Sequence, residues 1–599
     1  MCFGIEIVFL YQYFNLRLFM KSIRRGLLLL MFIMLCEMIQ AEKRVSIKWI
    51  HTSDVHGQLL GYDVLERREV SMGYSWVYGY VKPLRDKHNN VVLSDGGDVL
   101  QGSPSVYYYN FIDTVSTHLA ADVMNAVGYD VACLGNHDIE TGHSVYDRWM
   151  GECNFPFVGA NIIDEHRQTT YVKPYHMLQR EGVRIAVLGL LTPAIPYWLP
   201  RELWSGLHFE EMVQCAQKWI DIIKEKEHPH LIVGLFHSGM EGGIKTSEYS
   251  ENAVRQVAEQ VNGLDLICYG HDHNPNVEWI NNSCGDSVLC MAPAPNGKLL
   301  CEADIEVVLE NDRLKEKFIH ARLIDLKKSV DATVVAEFEK EFSLEYQEVD
   351  AYVQMPIGRF AQNIHCRDAY FGPSAFIDLI HRLQMDISGA QISLAAPLDF
   401  DSVIKSGVVR VADMFRLYKY ENQLYTMRLS GREIKGLLEM SYAQWTNTMV
   451  HPDDAIMLMS IDEIEKARYH FKNMVFNFDS AAGIIYTVDV TKPEGEKIMI
   501  QSMADGHPFS ADEFYTVAVN SYRGNGGGEL LTLGAGIPHD ELGSRIISAT
   551  EKDLRFYLME YIKRYKEIDA QSLNQWRFIP EEWTKKACDR DRKLLFKEK

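Results

Sequence analysis

Short apolar runs, each closed by a small polar cluster, recur along the first half of this chain and restrict what it can fold into. Residues 45–50 (VSIKWI) lead to Thr52-Ser53-Asp54-Val55-His56-Gly57, and Val91-Val92-Leu93 leads to Gly96-Gly97-Asp98. Val131-Ala132-Cys133-Leu134 runs into Gly135-Asn136-His137-Asp138. Residues 231–236 (LIVGLF) precede His237-Ser238-Gly239, and residues 264–269 (LDLICY) precede Gly270-His271-Asp272-His273. Runs of this length, bounded by Gly or Asp, read as buried strands. Helix-like stretches at 115–127 and 209–225 separate several of them. Alternating strand and helix predicts an α/β sandwich. Sites in such folds form at the carboxyl ends of strands, so the polar clusters are expected on one edge of one sheet.

The clusters offer carboxylate, carboxamide and imidazole groups and no thiolate. That set suits Zn²⁺, Mn²⁺, Fe or Co²⁺ and argues against a Cys-held structural site. Two such ions about 3.5–4 Å apart can share a carboxylate and a hydroxide, and clamp both oxygens of an in-line displacement at phosphorus. Phosphoryl transfer asks mainly for neutralised charge and positioning. One cluster alone would mean little; all of them in this order point to a two-metal phosphoesterase.

Residues 330–352, rich in Glu, Val and Phe at helical spacing and free of Gly and Pro, predict a connecting helix. From Pro356 the pattern restarts. A helix is expected at 373–385, a strand at 391–395, a helix at 431–442, and strands at 483–490 and 514–519. Three segments stand out there: Lys419-Tyr420-Glu421-Asn422, Phe476-Asn477-Phe478-Asp479, and Asn520-Ser521-Tyr522-Arg523 running into Gly524-Asn525-Gly526-Gly527-Gly528. The glycine run permits tight turning or close approach of backbone to a ligand.

On these motifs the first half resembles the calcineurin-like metallophosphoesterases. Residues 44–575 resemble the periplasmic 5′-nucleotidase / 2′,3′-cyclic-nucleotide phosphodiesterase family. The resemblance implies a four-layer αββα sandwich joined by the helical linker to a second, α+β substrate-binding domain. It implies two divalent metal ions, one held by Asp54, His56 and His273, the other by Asn136, His237 and His271, with Asp98 bridging. His137 would stand beside the phosphate, oriented by Glu140, where relatives carry Asp, or by Asp138. Tyr420 and Tyr522 would stack on a nucleobase, worth roughly 1–3 kcal/mol per base, and Asn422 would bond its edge. Some relatives carry Gln in place of His273.

One departure bears on substrate. The 5′-nucleotidase branch shows a Gly-Gly-Ile-Arg-type segment where this chain reads Ser393-Leu394-Ala395-Ala396-Pro397-Leu398. That segment, and Tyr at both stacking positions, resembles the 2′,3′-cyclic-nucleotide 2′-phosphodiesterase/3′-nucleotidase branch. The other readings are a 5′-nucleotidase or sugar-nucleotide hydrolase, and a non-catalytic nucleotide-binding surface protein.

The 599 residues divide by this reading into an upstream extension and signal peptide at 1–41, a dimetal domain at 42–328, a linker at 329–355, a nucleotide-binding domain at 356–575 and a charged tail at 576–599, of which 585–599 reads as a solvated, poorly ordered charge run. Met20-Lys21-Ser22-Ile23-Arg24-Arg25 followed by the apolar 26–39 reads as a leader starting at Met20, with a weak cleavage site at Ile39-Gln40-Ala41. A membrane anchor is disfavoured because the patches at 5–20 and 26–39 are each short for a span. Export to a periplasm or beyond follows. A net charge of −21 repels polyanions and disfavours polymeric nucleic acid, while leaving small nucleotides free to bind at metals. Of the 11 cysteines, Cys284 and Cys290 are the pair expected to bridge in an oxidising compartment.

Overall fold

The strands expected in the first half all form, but in two sheets rather than one. One six-stranded sheet runs Arg313–Asp325, Leu299–Glu310, Lys43–Thr52, Val91–Asp95, Val131–Cys133, Phe157–Val158. The other runs Asn276–Asn281, Ser287–Ala292, Leu266–Tyr269, Leu231–His237, Val183–Leu191, Tyr175–Arg180. Their inner faces share one apolar layer in which Val45, Ile47 and Trp49 of the first meet Val187, Val233 and Cys268 of the second. Alternate residues of each strand supply that layer, as the two-residue period of a strand requires. Helices Tyr74–Lys87 and Leu119–Val127 cover the outer face of the first sheet through Val77, Val81, Val123 and Met124. Helices Met212–Glu227 and Val254–Gln260 cover the second. This is the αββα sandwich. An apolar run announces a buried strand but not which sheet it joins, so the expectation of a single shared edge fails. The polar clusters belong to two sheet edges that face one another.

This computed structural model describes residues 42–461 and 468–597, with Arg17, Phe19, Met20, Lys21, Ile23 and Arg24 before them. The leader expected over 1–41 therefore lies almost wholly outside the described residues. Among the described residues no helix is long and apolar enough to cross a membrane.

The linker is helical, but it is two helices. Ala332–Glu339 and Ser343–Val353 are joined by a 3₁₀ turn at Lys340–Phe342. Beyond it, a five-stranded sheet orders Ser480–Ala482, Ile392–Ala395, Phe514–Asn520, Gln423–Ser430 and Ile546–Asp553. Helices Ala375–Ser388 and Gly431–Trp445 pack on it. The second is opened by a capping box, Ser430 with Glu433.

Two further expectations fail. The tail is not a solvated run: Trp576–Ile579 is a strand and Glu581–Phe596 a helix. Thr584, Ala587, Asp591 and Leu595 bury one face of that helix at three- and four-residue spacing, and the charged residues between them hid this stripe. The Asp591 carboxylate accepts the backbone N–H groups of Ile456 (2.7 Å) and Met457 (3.0 Å). Asp591→Ala strands both buried donors at roughly 1–3 kcal/mol each, and is expected to lower the thermal midpoint by several degrees in a calorimetric scan. Cys284 and Cys290 are not joined. Cys290 is buried in Ser287–Ala292 while Cys284 is exposed in the preceding turn, and both are free.

Candidate active site

Parallel pairing sets the loops side by side. Thr52 pairs with Asp95 and Asp95 with Ala132, so the loops holding Asp54, Asp98 and Asn136 leave the first sheet together. In the second, Leu191 pairs with His237 and Phe236 with Tyr269, which aligns His237 with the His271 loop. Asp54, His56, Asp98, His271 and His273 all adopt positive φ, between 51° and 83°. Non-glycine residues rarely do so, and such strain gathers where surrounding structure fixes a functional geometry. The fixing contacts are visible. Asp54 N–H donates to Gly97 O and His56 N–H to Asp98 O, both at 2.9 Å. The buried Asp138 carboxylate accepts N–H from Gly135, Asp98, Val99 and Leu100 at 2.8–2.9 Å. Asp95 is likewise a support: it accepts from the Thr52 and Tyr74 hydroxyls and from Gly97 N–H.

Two clusters of converging donors result, Asp54/His56/His273 and Asp98/His237/His271. His56 Nε2 lies 3.0 Å from His273 Nε2, which is 3.5 Å from Asp54 Oδ1. His237 Nε2 lies 3.2 Å from Asp98 Oδ2 and 3.1 Å from Asn136 Oδ1. His271 Nδ1 lies 2.9 Å from the same Asn136 oxygen. The other ring nitrogens decide the tautomers. His56 Nδ1 faces Gln101 O, His237 Nδ1 faces Gly96 O, and His271 Nε2 faces the Glu251 carboxylate. Those partners only accept, so each must receive an N–H, leaving the remaining lone pair aimed inward. Lone pairs that converge on carboxylate and carboxamide oxygens are satisfied by cations. The donor set and tautomers thus fit divalent ions held by imidazole and oxygen.

Burial opposes ionisation of Asp98, but the imidazoles of His237 and His137 outweigh it and hold its carboxyl well below the usual carboxylate range. His137 Nδ1 is 2.5 Å from Glu140 Oε2. Glu140, rather than Asp138, therefore orients this ring, because Asp138 is spent on backbone amides. Burial works against charge on His137, but Asp98 and Glu140 outweigh that and push its pKa up to about 10.

Asn136, His137, Glu140 and His271 line one wall of a cavity of about 260 Å³, and Tyr420, Asn422 and Tyr522 line another. Asp54, His56, Asp98, His237 and His273 are not on its wall. The expected site residues of the two halves thus meet across one space. Sequence reasoning missed Glu251, Trp198, Leu398, Phe476 and Asn520, which also line it. Glu251 sits in a loop and Trp198 at the end of the short helix Ile195–Trp198, both without motif. Leu398, Phe476 and Asn520 lie in segments quoted above, yet had no role there. Trp198 leans over the His271 ring at 5.7 Å, and its carbonyl accepts from Asn525 Nδ2 at 3.0 Å. The neighbouring Tyr197 stacks on His539 at 4.2 Å. These contacts hold the two halves together around the cavity. His143 takes no part, being occupied by Asp147, Tyr146 and Ser205 O.

Comparison with known proteins agrees with this architecture. Residues 47–275 match the calcineurin-like phosphoesterase family, and residues 356–534 match the 5′-nucleotidase C-terminal domain. The chain is 26% identical over 600 residues to the trifunctional nucleotide phosphoesterase protein YfkN of Bacillus subtilis; the match covers 90% of this chain but 39% of that protein. It is also 26% identical to a 2′,3′-cyclic-nucleotide 2′-phosphodiesterase/3′-nucleotidase of Salmonella typhimurium, over 90% of this chain and 89% of that one. The fold is shared with the 5′-nucleotidase precursor of Thermus thermophilus, at TM-score 0.60 and 21% identity, over 90% of this chain and all of that one. With both domain types in this order, the chain belongs to the family of metal-dependent phosphoric ester hydrolases that join a calcineurin-like phosphoesterase domain to a 5′-nucleotidase C-terminal domain.

Proposed function

We propose that this protein hydrolyses phosphate esters of nucleosides as a 2′,3′-cyclic-nucleotide 2′-phosphodiesterase/3′-nucleotidase. The observation that carries this reading is the single cavity with His137, Asn136 and His271 on one side and Tyr420, Asn422 and Tyr522 on the other. Asp54, His56 and His273 would hold one divalent ion, and Asn136, His237 and His271 the other, with Asp98 between them. When bound, the two ions supply Lewis-acid polarisation of phosphoryl oxygens and an acidified water. His137, fixed by Glu140 through Nδ1, offers its Nε2 to a substrate oxygen and can give a proton to the leaving group. Tyr420 and Tyr522 bind the base through its faces, and Asn422 offers an amide to its edge.

The cavity wall carries Glu140 and Glu251 and no Lys or Arg. A pyrophosphate would bring extra negative charge there with only the imidazoles of His137 and His271, and neither Lys nor Arg, on the wall to meet it. This favours a single phosphate group over nucleotide sugars, in agreement with Ala395-Ala396-Pro397 in place of an Arg-bearing segment. The basic and apolar leader supports export to a periplasm or beyond.

The test is phosphate release from 3′-AMP and 5′-AMP by metal-loaded protein, with ring opening of 2′,3′-cyclic AMP followed by chromatography. Strong turnover of the 3′ and cyclic esters is expected. Preference for 5′-AMP would place the activity with the 5′-nucleotidases, and no turnover of any would favour a binding protein.

Glu251 gives a second check. Its carboxylate fixes the His271 tautomer from 3.0 Å, and its other oxygen accepts Ile244 N–H at 2.6 Å. Carboxylates that orient histidine ligands contribute roughly 10–100-fold to metal affinity. Glu251→Gln is expected to weaken metal binding by about that factor in a calorimetric titration. Unchanged affinity would show that His271 needs no such partner.

A further inference from the structure

The aromatic residues of the cavity stand on separate segments, and something must hold them in place relative to one another. Phe476 lies in the 3₁₀ turn Val475–Asn477, and Tyr522 in the short helix Ser521–Gly524. The Phe476 ring is perpendicular to both Tyr420 and Tyr522, at 85° and 90°, with centroids 6.4 and 6.0 Å away. It therefore forms a third wall, set edge-on between the two tyrosines.

One side chain ties two of these segments together. Arg523 is 2% exposed. Its Nη2 donates to Phe476 O (3.0 Å), to Asn477 Oδ1 (3.2 Å) and to Asp479 Oδ2 (2.7 Å), while Nη1 donates to Gly527 O. Asp479 is itself buried, and the Ser441 hydroxyl pins its carbonyl at 2.8 Å. Gly527 and Gly528 close the arrangement. A Cβ on Gly527 would lie 2.5 Å from the Tyr522 ring, and one on Gly528 2.1 Å from Asn477 Oδ1 and 2.4 Å from Arg523 Nη1. Gly528 also has φ +68°, which a side chain would strain. A buried ion pair is weak evidence of stabilisation by itself and is best attested as a device that fixes one arrangement. Arg suits this task because its planar fork holds several acceptors at once, which a Lys ammonium on a flexible stem does not.

We infer that the buried Arg523–Asp479 pair is a positioning device that presets Phe476 and Tyr522 as a rigid three-sided base slot with Tyr420. Arg523 does not line the cavity; it acts through the two segments it joins. A slot set before binding spares the ligand the cost of ordering those side chains. Loss of the pair therefore weakens recognition of the base and leaves the phosphate chemistry intact. This rests on the nucleotide reading above.

The experiment measures binding of adenosine, which has no phosphate, and turnover of p-nitrophenyl phosphate, which has no base, in metal-loaded protein. For Arg523→Lys the adenosine dissociation constant is expected to rise about tenfold, while kcat/KM on p-nitrophenyl phosphate stays within about twofold of the parent. Asp479→Asn, which keeps the side-chain shape and removes the charge, is expected to shift in the same sense and stands in if Arg523→Lys does not fold. Equal losses on both probes would overturn the proposal in favour of a purely structural ion pair, as would unchanged adenosine binding. If the parent protein itself fails to bind adenosine, it is the nucleotide reading that falls.

Discussion

Asp98→Asn leaves a folded protein with on the order of a thousandfold or more less turnover. Asp98 Oδ1 accepts His137 N–H at 2.8 Å, and its Oδ2 is 3.2 Å from His237 Nε2. Asparagine can keep the first of these contacts, so the loop survives and circular dichroism should be unchanged. The negative charge, which acts on His56, His137 and His237 together, is lost. Charge stabilisation of several kcal/mol in a two-metal site corresponds to three or more powers of ten at about 1.4 kcal/mol per tenfold. Metal content per chain, measured after dialysis, should fall with activity. Turnover within tenfold of the parent would exclude Asp98 as the shared ligand.

His137→Ala comes second, with an expected loss of roughly 10²–10⁴ in kcat, the range of general acid–base groups. The ring belongs to neither donor cluster, so metal content should hold while kcat falls. That contrast separates it from Asp98→Asn. The loss should also depend on the leaving group. An ester of a strongly acidic phenol needs no proton on departure and is expected to lose least. Equal losses on nucleotide and phenyl esters would assign His137 to charge stabilisation rather than proton donation.

Much of the site was legible because its residues follow strands directly. A metal ligand needs a fixed loop, and these loops are short continuations of apolar runs, as with Val91–Asp95 before Asp98. What was not legible depended on how distant segments meet. The division of the strands between two sheets follows from packing rather than from periodicity. Glu251 sits in a loop without an apolar run beside it and becomes significant only when it meets His271. The choice of Glu140 over Asp138 as the partner of His137 required seeing Asp138 consumed by four backbone amides. The helix at Glu581–Phe596 was hidden by composition: its charged residues dominate the count, while Thr584, Ala587 and Leu595 bury one face.

The cavity lies on a seam, and that has a consequence for how such proteins diversify. The wall beside the donor clusters comes from residues before 274 and the wall of Tyr420, Asn422 and Tyr522 from residues after 397. On the proposed reading, chemistry and taste are thus written in separate stretches of one chain. Exchange of genetic material across 329–355 could give the hydrolytic half a new preference in a single event, without retuning any donor. Drift in the second half would change which ester is chosen long before it changed how the ester is cut.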